Sequence, residues 1–123
     1  MTPAPIRLLV VEDDALQSEL VERALGRDGF EVRTVTSVRE LRAAVAEFAP
    51  EIVLVDVNLP DAPEGSMLPL VRELAPSARV VLYSAWEEAK LKKLARDLGA
   101  DAYISKSEPV FEIGRRLREP AHR

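Results

Sequence analysis

The sequence predicts an α/β fold in which helices cover both faces of a five-stranded parallel sheet. Three apolar runs, at 6–11, 52–57 and 79–84, are rich in β-branched residues and nearly continuous rather than alternating, as is typical of strands buried on both faces. Weaker runs at 30–35 and 101–105 predict two further strands. Helical patterns lie between successive runs, and such alternation with short connections indicates parallel strands joined by right-handed crossovers.

The helices are predicted from apolar residues that recur every three or four positions along the chain. Pro69 fits the first turn of a further helix, over about 67–74, because a first turn leaves its N–H groups unpaired and proline has none to lose. In chain order, the four recurring sets are Leu16, Leu20 and Ala24; Val38, Leu41, Val45 and Phe48; Leu91, Leu94 and Leu98; and Val110, Ile113 and Leu117.

Capping residues mark the predicted helix ends. Capping boxes, in which two side chains three residues apart bond the free N–H groups of a helix start, are predicted at 14–17, 37–40 and 84–87. Gly99 can end the fourth helix because glycine tolerates a left-handed backbone. Gly114 lies inside the last helix, where glycine costs about 1 kcal/mol relative to alanine.

The composition indicates one globular domain, residues 1–123, with a core from about 6 to 117. Of the 123 residues, 47% are hydrophobic and 31% charged, the usual mixture for a folded domain. The chain has no cysteine and one histidine, His122, which excludes disulfide frameworks, thiolate chemistry and His-based metal clusters. No apolar stretch approaches the roughly 18 residues of a membrane span, and the N-terminus lacks the regions of a signal peptide. A cytoplasmic location without membrane association is therefore expected.

Charge is distributed unevenly along the chain. Residues 1–84 hold 8 basic and 14 acidic side chains, a net −6, whereas residues 85–123 hold 9 basic and 7 acidic side chains, a net +2. The second segment is too weakly basic to indicate nucleic-acid binding. Its helices present either an ordinary solvated surface or a face that binds an acidic partner.

Polar side chains follow the predicted strands at one edge of the sheet. Glu12 and Asp13 come after the first strand, Asp56 ends the third, Ser84 ends the fourth, and Lys106 follows the fifth. In an open parallel sheet, ligands bind beyond the carboxyl ends of the strands. Carboxylates gathered there repel one another unless they share a cation or a proton. With oxygen ligands alone, the natural cation is Mg²⁺.

These residue types indicate a reaction class. Asp56 has no evident structural role at the end of an apolar strand, where a lone carboxylate is costly to bury. Such a carboxylate can act as a nucleophile and form an aspartyl phosphate. Lys106 and the Ser84 hydroxyl can contact the phosphoryl oxygens. Together the residues predict Mg²⁺-assisted phosphoryl transfer onto a carboxylate.

Two motifs stand at this edge, Val10-Val-Glu-Asp13 and Leu54-Val-Asp-Val-Asn-Leu-Pro60, together with Ser84 and Lys106. With them, the chain resembles the receiver domains of two-component response regulators, in particular the single-domain type exemplified by the chemotaxis response regulator. The resemblance runs from about residue 6 to residue 117. It implies the flavodoxin-like strand order 2-1-3-4-5 that is known for this family.

The resemblance implies a role for each site residue. Asp13 would bind Mg²⁺ directly and Glu12 through water, while Asp56 would be phosphorylated and would also bind the metal. The main-chain carbonyl of Asn58 would be a further ligand, so the implied metal set is Glu12, Asp13, Asp56 and Asn58. Lys106 would contact the phosphoryl group and take part in the chemistry of its transfer.

Further positions would control the signal and the lifetime of the phosphorylated form. Ser84 matches the switch hydroxyl of the family, which also contacts the phosphoryl group, and Tyr103 matches the switch aromatic. Asn58 lies two residues beyond the phosphoacceptor, and Trp86 lies two residues beyond the switch hydroxyl. At these two positions the family controls the access of water to the phosphoryl group.

The chain departs from the family pattern in two places. The glycine that usually follows the Leu-Pro pair comes one residue later, at Gly65, which predicts a reshaped loop over 60–65. Lys106 is followed by Ser107 rather than by proline. A cis bond between them would cost about 2.5–4 kcal/mol, so the resemblance predicts either a trans bond or a more mobile loop.

The implied function is a phosphorylation-controlled signalling switch in a two-component phosphorelay. No dedicated substrate turnover is expected beyond self-phosphorylation from a phosphodonor and auto-dephosphorylation. The implied partners are a sensor histidine kinase or phosphotransfer protein, and a downstream protein that binds the fourth helix, fifth strand and fifth helix, residues 84–117. No DNA-binding domain is expected in this chain.

Three alternatives use the same fold or the same chemistry. Phosphotransferases of the haloacid dehalogenase type have a second Asp two residues after the nucleophile, where this chain has Asn58. A flavin-binding domain needs a phosphate loop after the first strand, where Glu12, Asp13 and Asp14 would repel a phosphate. A pseudo-receiver would be an interaction module that is never phosphorylated; the intact carboxylate, hydroxyl and lysine set disfavours it.

Overall fold

The computed structural model describes residues 4–59 and 66–119. The predicted reshaping of the loop over 60–65 lies outside the described residues. All neighbouring strands are parallel and follow the order 2-1-3-4-5, which confirms the predicted fold. The strands are β1 (Ile6–Val11), β2 (Phe30–Val35), β3 (Ile52–Asp56), β4 (Arg79–Ser84) and β5 (Ala102–Ser105).

Each predicted helix is present between or after the strands. Short 3-10 turns, Val38–Glu40 and Val110–Glu112, precede the second and the fifth helix. None of the helices in the described residues combines the length and the apolar content that a membrane span requires. The helices are α1 (Ala15–Gly26), α2 (Leu41–Phe48), α3 (Leu68–Leu74), α4 (Glu88–Leu98) and α5 (Ile113–Arg118).

The helices form two layers, one on each face of the sheet. Successive strand residues point to opposite faces, so Val10 enters the core beneath α1 and α5, whereas Val11 enters the core beneath α2, α3 and α4. Burial on both sides explains the continuous apolar sequences of the strands. The helices contribute Val21, Leu25, Ile113 and Leu117 to the first core, and Leu41, Val45, Leu68, Val71, Leu91 and Ala95 to the second.

The apolar pattern predicts α1 correctly but marks the wrong face of it. Leu16 and Leu20 are 68% and 44% exposed, whereas Ser18, Val21 and Leu25 are buried. The buried set has the i, i+3, i+7 spacing of one helix face, but it begins with a serine, so no apolar pattern marks it. Ser18 remains satisfied because its hydroxyl donates to a carbonyl oxygen in the first turn of the helix.

The predicted capping boxes are not formed as boxes. Asp14 does accept hydrogen bonds from the N–H groups of Leu16 and Gln17, but the Gln17 side chain donates to Tyr83 instead of closing the box. Ser37 caps no backbone N–H, and its hydroxyl donates to the side chain three residues later.

The third predicted box fails because Ser84 ends a strand. Ser84 is the last residue of β4, and α4 begins four residues later, after Glu87. At the other end of α4, Gly99 adopts the left-handed conformation that was predicted, with φ of 76°.

Gly114 allows α5 to approach the end of α1 closely. A Cβ atom at this position would collide with the Asp28 carboxylate and press on Leu25. Arg118, one turn further along α5, lies 3.2 Å from the same carboxylate and 4.6 Å from the centre of the Phe30 ring. The absence of a side chain at Gly114 therefore allows the two helices to pack closely. This packing offsets the low helix propensity of glycine.

Candidate functional site

Glu12 directly follows β1, and only 1% of the residue is exposed. Its main-chain N–H donates to the carbonyl oxygen of Val35 at 3.0 Å, which extends the pairing with β2 by one residue. Its Oε1 accepts the N–H of Asp14 at 3.2 Å. The chain therefore holds this carboxylate at the carboxyl edge of the sheet, next to the exposed Asp13.

Asp56 is the last residue of β3 and is only 4% exposed. Its Oδ1 accepts the N–H of Asn58 at 3.0 Å. The N–H of Val57 donates to the carbonyl oxygen of Tyr83 on β4 at 3.1 Å. These two bonds fix the turn after β3, so that an otherwise apolar strand delivers one oriented carboxylate to the same edge as Glu12.

Lys106 reaches both carboxylates from the end of β5. Its ammonium nitrogen lies 2.7 Å from Glu12 Oε2 and 3.3 Å from Asp56 Oδ2. Its main-chain N–H donates to the carbonyl oxygen of Ser84 at 2.7 Å, which continues the pairing of β5 with β4. The fold thus brings together the ends of β1, β3 and β5, as predicted from the placement of charged residues after each strand.

Burial and neighbouring charges set the protonation of this cluster. Burial raises the pKa of Glu12 to about 7, with a further contribution from its hydrogen bond with Asp56, whereas the hydrogen bond from Lys106 acts in the opposite direction. Burial alone would lower the pKa of Lys106, but hydrogen bonds and charges from Glu12 and Asp56 outweigh burial and raise it. Lys106 is therefore an ammonium at neutral pH.

Glu12, Asp13 and Asp56 are placed to share a cation. One carboxylate oxygen from each residue lies within 4.8 Å of the other two. Lys106 contacts only two of the three carboxylates, so the group keeps an excess of negative charge. An all-oxygen set with one exposed member fits Mg²⁺, which takes one or two carboxylates in proteins and keeps several waters. The residues present therefore fit the ion that the resemblance implies.

Ser84 is completely buried at the end of β4. Asp56 is in register with Tyr83, so Ser84 lies one position further along the neighbouring strand. The Ser84 Oγ accepts the N–H of Trp86 at 3.0 Å. Because this bond uses the oxygen as an acceptor, the hydroxyl hydrogen can still be donated to a ligand at the sheet edge.

The other predicted residues are less buried than Glu12, Asp56 and Ser84. Asn58 is exposed, and Trp86 is half-buried with the Lys90 ammonium 3.9 Å from its ring centre. Tyr103 is half-buried on β5, and its hydroxyl donates to Glu88 Oε1 at 3.4 Å. A cleft of about 460 Å³ lies between Trp86, Tyr103 and the loop after β5.

Residues that contact the cluster or its loops were missed by the sequence analysis. The Tyr83 phenol accepts a hydrogen bond from Gln17 Nε2 at 2.6 Å, and the Lys106 ammonium lies 5.3 Å from the ring centre. Burial raises the pKa of Tyr83 to about 12. Glu108, in the loop that follows β5, forms an ion pair with Arg116 on α5. No local pattern marks these residues. A tyrosine is common in an apolar strand, and charged residues are common in loops and on helix surfaces, so their types alone indicate no role at the site.

Comparison with known families identifies the group of proteins to which this site belongs. The family model described as the response regulator receiver domain matches residues 8–118. The chain belongs to this family. The matched segment includes every predicted site residue, and the resemblance found in the sequence is thereby confirmed.

Curated relatives of the receiver domain are response regulators. This chain is 30% identical over 114 residues to the probable transcriptional regulatory protein TcrX of Mycobacterium tuberculosis. The match covers 93% of this chain and 49% of the relative. It is 32% identical over 127 residues to the DNA-binding transcriptional regulator NtrC of Rhizobium meliloti, covering 100% of this chain and 26% of the relative. The chain therefore spans half or less of the length of these relatives.

A solved structure shows the same fold. The chemotaxis response regulator CheY4 of Vibrio cholerae superimposes with a TM-score of 0.82 at 20% identity, over 93% of this chain and 97% of that chain. At this level of identity the similarity concerns the fold of the receiver domain. The roles of individual residues depend on the geometry described above.

Proposed function

We propose that this receiver domain is a signalling switch that accepts a phosphoryl group on Asp56 with Mg²⁺. The observation that carries the proposal is the surrounding of Asp56. This almost fully buried carboxylate lies 3.3 Å from the Lys106 ammonium and is grouped with Glu12 and Asp13. Burying charged groups together opposes folding, and phosphoryl transfer makes use of each of them.

In the proposed step, a carboxylate oxygen of Asp56 attacks the phosphorus atom of the donor. A P–O bond forms while the bond from phosphorus to the donor breaks, and the electron pair of that bond leaves with the donor atom. Lys106 stabilises the negative charge on the phosphoryl oxygens, and the Ser84 hydroxyl donates a hydrogen bond to one of them. In dephosphorylation, water attacks the phosphorus; inorganic phosphate and a proton leave, and the Asp56 carboxylate is restored.

The residues proposed to hold Mg²⁺ are Glu12, Asp13 and Asp56, together with the main-chain carbonyl of Asn58. When bound, the ion would neutralise part of the charge on the transferring group. Asp13 is exposed and accessible to a hydrated ion. In the absence of metal, Lys106 reduces the repulsion between the two buried carboxylates.

The proposed phosphodonor is a sensor histidine kinase or a phosphotransfer protein, the donor class expected for this family. The proposed output is the binding of a downstream protein to α4, β5 and α5, residues 84–117. This output is supported by the half-buried Tyr103, which bonds Glu88 on α4 and borders the cleft of about 460 Å³. Its ring has space to change position when Ser84 turns towards a phosphoryl group.

The basic side chains of this face that form no ion pair within the described part of the chain lie on α4. Lys93 pairs with Asp97, and the arginines of α5 pair with acidic residues nearby. Among the described residues, Lys92 and Arg96 form no ion pair. A downstream partner with an acidic surface would therefore be recognised mainly by the exposed side of α4.

The test is incubation with acetyl phosphate and Mg²⁺, followed by intact mass measurement and peptide mapping. We expect one phosphoryl group on Asp56, lost in Asp56→Asn, in Asp13→Asn and on removal of the metal. Asp97→Asn, which removes an exposed carboxylate far from the site, should be phosphorylated like the wild type. A stable adduct on Asp14 or Ser84 with Asp56 unmodified would contradict the assignment. The absence of any adduct would favour the pseudo-receiver interaction module.

A further inference from the structure

The loop after β5 must hold Lys106 in place without a proline beside it. Lys106 is followed by Ser107, and no peptide bond among the described residues is cis. The side chain of Lys106 has many rotatable bonds, so its ammonium can stay between two carboxylates only if the main chain beneath it is fixed. The structure shows which groups restrain that main chain.

Glu108, two residues after the lysine, closes the loop on itself. Its main-chain N–H donates to the carbonyl oxygen of Ser105 at 3.1 Å. Its side-chain Oε2 accepts the N–H of Ser105 at 3.3 Å. The Ser107 N–H adds a bond to the Ser105 hydroxyl at 3.1 Å. Glu108 thus uses both its main chain and its side chain to fix the residue immediately before Lys106.

Arg116 on α5 holds the other carboxylate oxygen of Glu108. Its Nη1 lies 2.5 Å from Glu108 Oε1, and its Nη2 donates to the carbonyl oxygen of Tyr103 at 3.1 Å. The two side chains are only 18% and 28% exposed, so solvent screens this pair less than a surface ion pair. Arg116 therefore connects β5, the loop and α5 at the point where Lys106 leaves the sheet.

We propose that the Glu108–Arg116 ion pair positions Lys106 for phosphoryl transfer, with Glu108 as a positioning residue that never contacts the phosphoryl group. This inference rests on the proposed function of Asp56 and Lys106. Through its side chains, the ion pair supplies a restraint on the loop in place of a proline next to Lys106. Losing it leaves Lys106 in the chain but releases its ammonium from Glu12 and Asp56.

The first measurement reports the position of Lys106 and needs no phosphorylation. The chain has four lysines, and the other three, Lys90, Lys92 and Lys93, lie on α4 and serve as internal references. Labelling with limiting acetic anhydride should modify Lys106 slowly in the wild type. In Glu108→Ala and in Arg116→Ala, its labelling relative to the reference lysines should rise roughly fivefold.

The second measurement is the rate of phosphorylation by acetyl phosphate at saturating Mg²⁺. Because misplacing a catalytic group by about 1 Å can cost up to 100-fold, Glu108→Ala should slow the reaction by about tenfold, with Mg²⁺ affinity changed less than twofold. In a Lys106→Ala background, the same substitution should have no further effect. Glu108→Gln, which keeps an acceptor for the Ser105 N–H, should restore part of the rate.

Glu112→Ala is the matched control. Glu112 is also an acidic residue that precedes α5, in the 3-10 turn, but it pairs with Arg115 at 2.7 Å, so its loss should change neither measurement. Unchanged Lys106 labelling in Glu108→Ala and Arg116→Ala would overturn the proposal. So would an equal loss of rate with and without Lys106. If the wild type takes no phosphoryl group while Lys106 labelling rises as expected, the proposed function fails and the positioning of Lys106 stands.

Discussion

The Lys106 ammonium lies 2.7 Å from Glu12 and 3.3 Å from Asp56, so that two buried carboxylates from different strands share one cation. Asp13 adds a third carboxylate to the same group. Without a metal ion the site therefore carries more negative than positive charge. Like charges held together oppose folding, so the residues proposed to carry out phosphoryl transfer are expected to lower the stability of the metal-free protein.

Asp13→Asn tests this balance of charge. The variant should raise the free energy of unfolding in EDTA by about 0.5–1 kcal/mol, within the usual gain from removing an unfavourable surface charge. If Mg²⁺ binds only the folded state, saturating Mg²⁺ should stabilise the wild type, and Asp13→Asn should abolish this stabilisation. Urea denaturation with and without Mg²⁺ measures both effects. Asp97→Asn should retain the full Mg²⁺ effect; if Asp13→Asn also retains it, Asp13 is no ligand.

Trp86→Ala tests the control of water at the site. The Trp86 main-chain N–H donates to the Ser84 hydroxyl oxygen, and its half-buried ring is covered on one side by Lys90. Removing the ring should admit water and speed aspartyl-phosphate hydrolysis roughly threefold or more, which corresponds to about 0.6 kcal/mol in the barrier. Decay of the phosphorylated protein after removal of acetyl phosphate gives the rate. Trp86→Phe should decay nearly like the wild type, whereas equal or slower decay in Trp86→Ala would place the ring away from the water path.

Fluorescence of Trp86 tests the switch. Trp86 is the single tryptophan of the chain and lies just before α4, so its emission should change on adding Mg²⁺ and again on adding beryllofluoride, which stands in for the phosphoryl group. Amide exchange across 84–117 should change with it if two arrangements of this face compete. Asp56→Asn should show no response to beryllofluoride. A wild type that binds beryllofluoride without either change would be a static scaffold or a phosphate sink.

Gly114→Ala separates tertiary packing from helix propensity. Propensity alone predicts a gain of stability in α5, but the new Cβ would displace the Asp28 carboxylate and weaken its pairing with Arg118. We expect a net loss of about 1–2 kcal/mol, as for other small-to-large changes in packed sites. Gly26→Ala is the control, since nothing lies within 4 Å of its added Cβ; it should stabilise the protein by about 0.5 kcal/mol. Chemical denaturation that ranks both variants above the wild type would exclude the close contact.

The buried phenol of Tyr83 predicts a loss of stability at alkaline pH. Burial raises its pKa to about 12, against 10 for an unfolded tyrosine. The folded state therefore binds more protons between pH 10 and 12, so the contribution of this phenol is complete below pH 10 and is lost as pH rises to 12. The full effect is about 2–3 kcal/mol. Unfolding free energies measured across this range should fall less steeply in Tyr83→Phe than in the wild type, and an unchanged slope would mean that the phenol ionises normally.

Much of the fold could be predicted because its cause is local. Strands buried on both faces require continuous apolar residues, as at 52–57, and the alternation of such runs with helical spacing leaves a parallel sheet as the consistent arrangement. The charged residues that end these strands were found by the same reasoning, since the carboxyl ends of parallel strands meet at one edge. Asp56 and Lys106 can therefore be predicted to be neighbours although 49 residues lie between them in the sequence.

The capping-box predictions failed at side chains that have more than one available partner. Gln17 had the spacing of a capping box, yet it bonds the phenol of Tyr83. Ser84 had the sequence of a helix cap, yet it ends β4 in the core. The choice between a local and a distant partner depends on which groups packing brings within 3 Å, and a residue pattern contains no such distance.

By itself, therefore, the sequence determined the class of fold, the edge of the sheet that carries the charged residues and the family to which the chain belongs. Only the tertiary structure decided which face of α1 is buried, why Gly114 is tolerated in α5, and how Arg116 reaches the loop beneath Lys106. The physical reason is that periodicity and strand ends are properties of neighbouring residues, whereas these contacts arise only when the helices pack on the sheet and against the loops beside them.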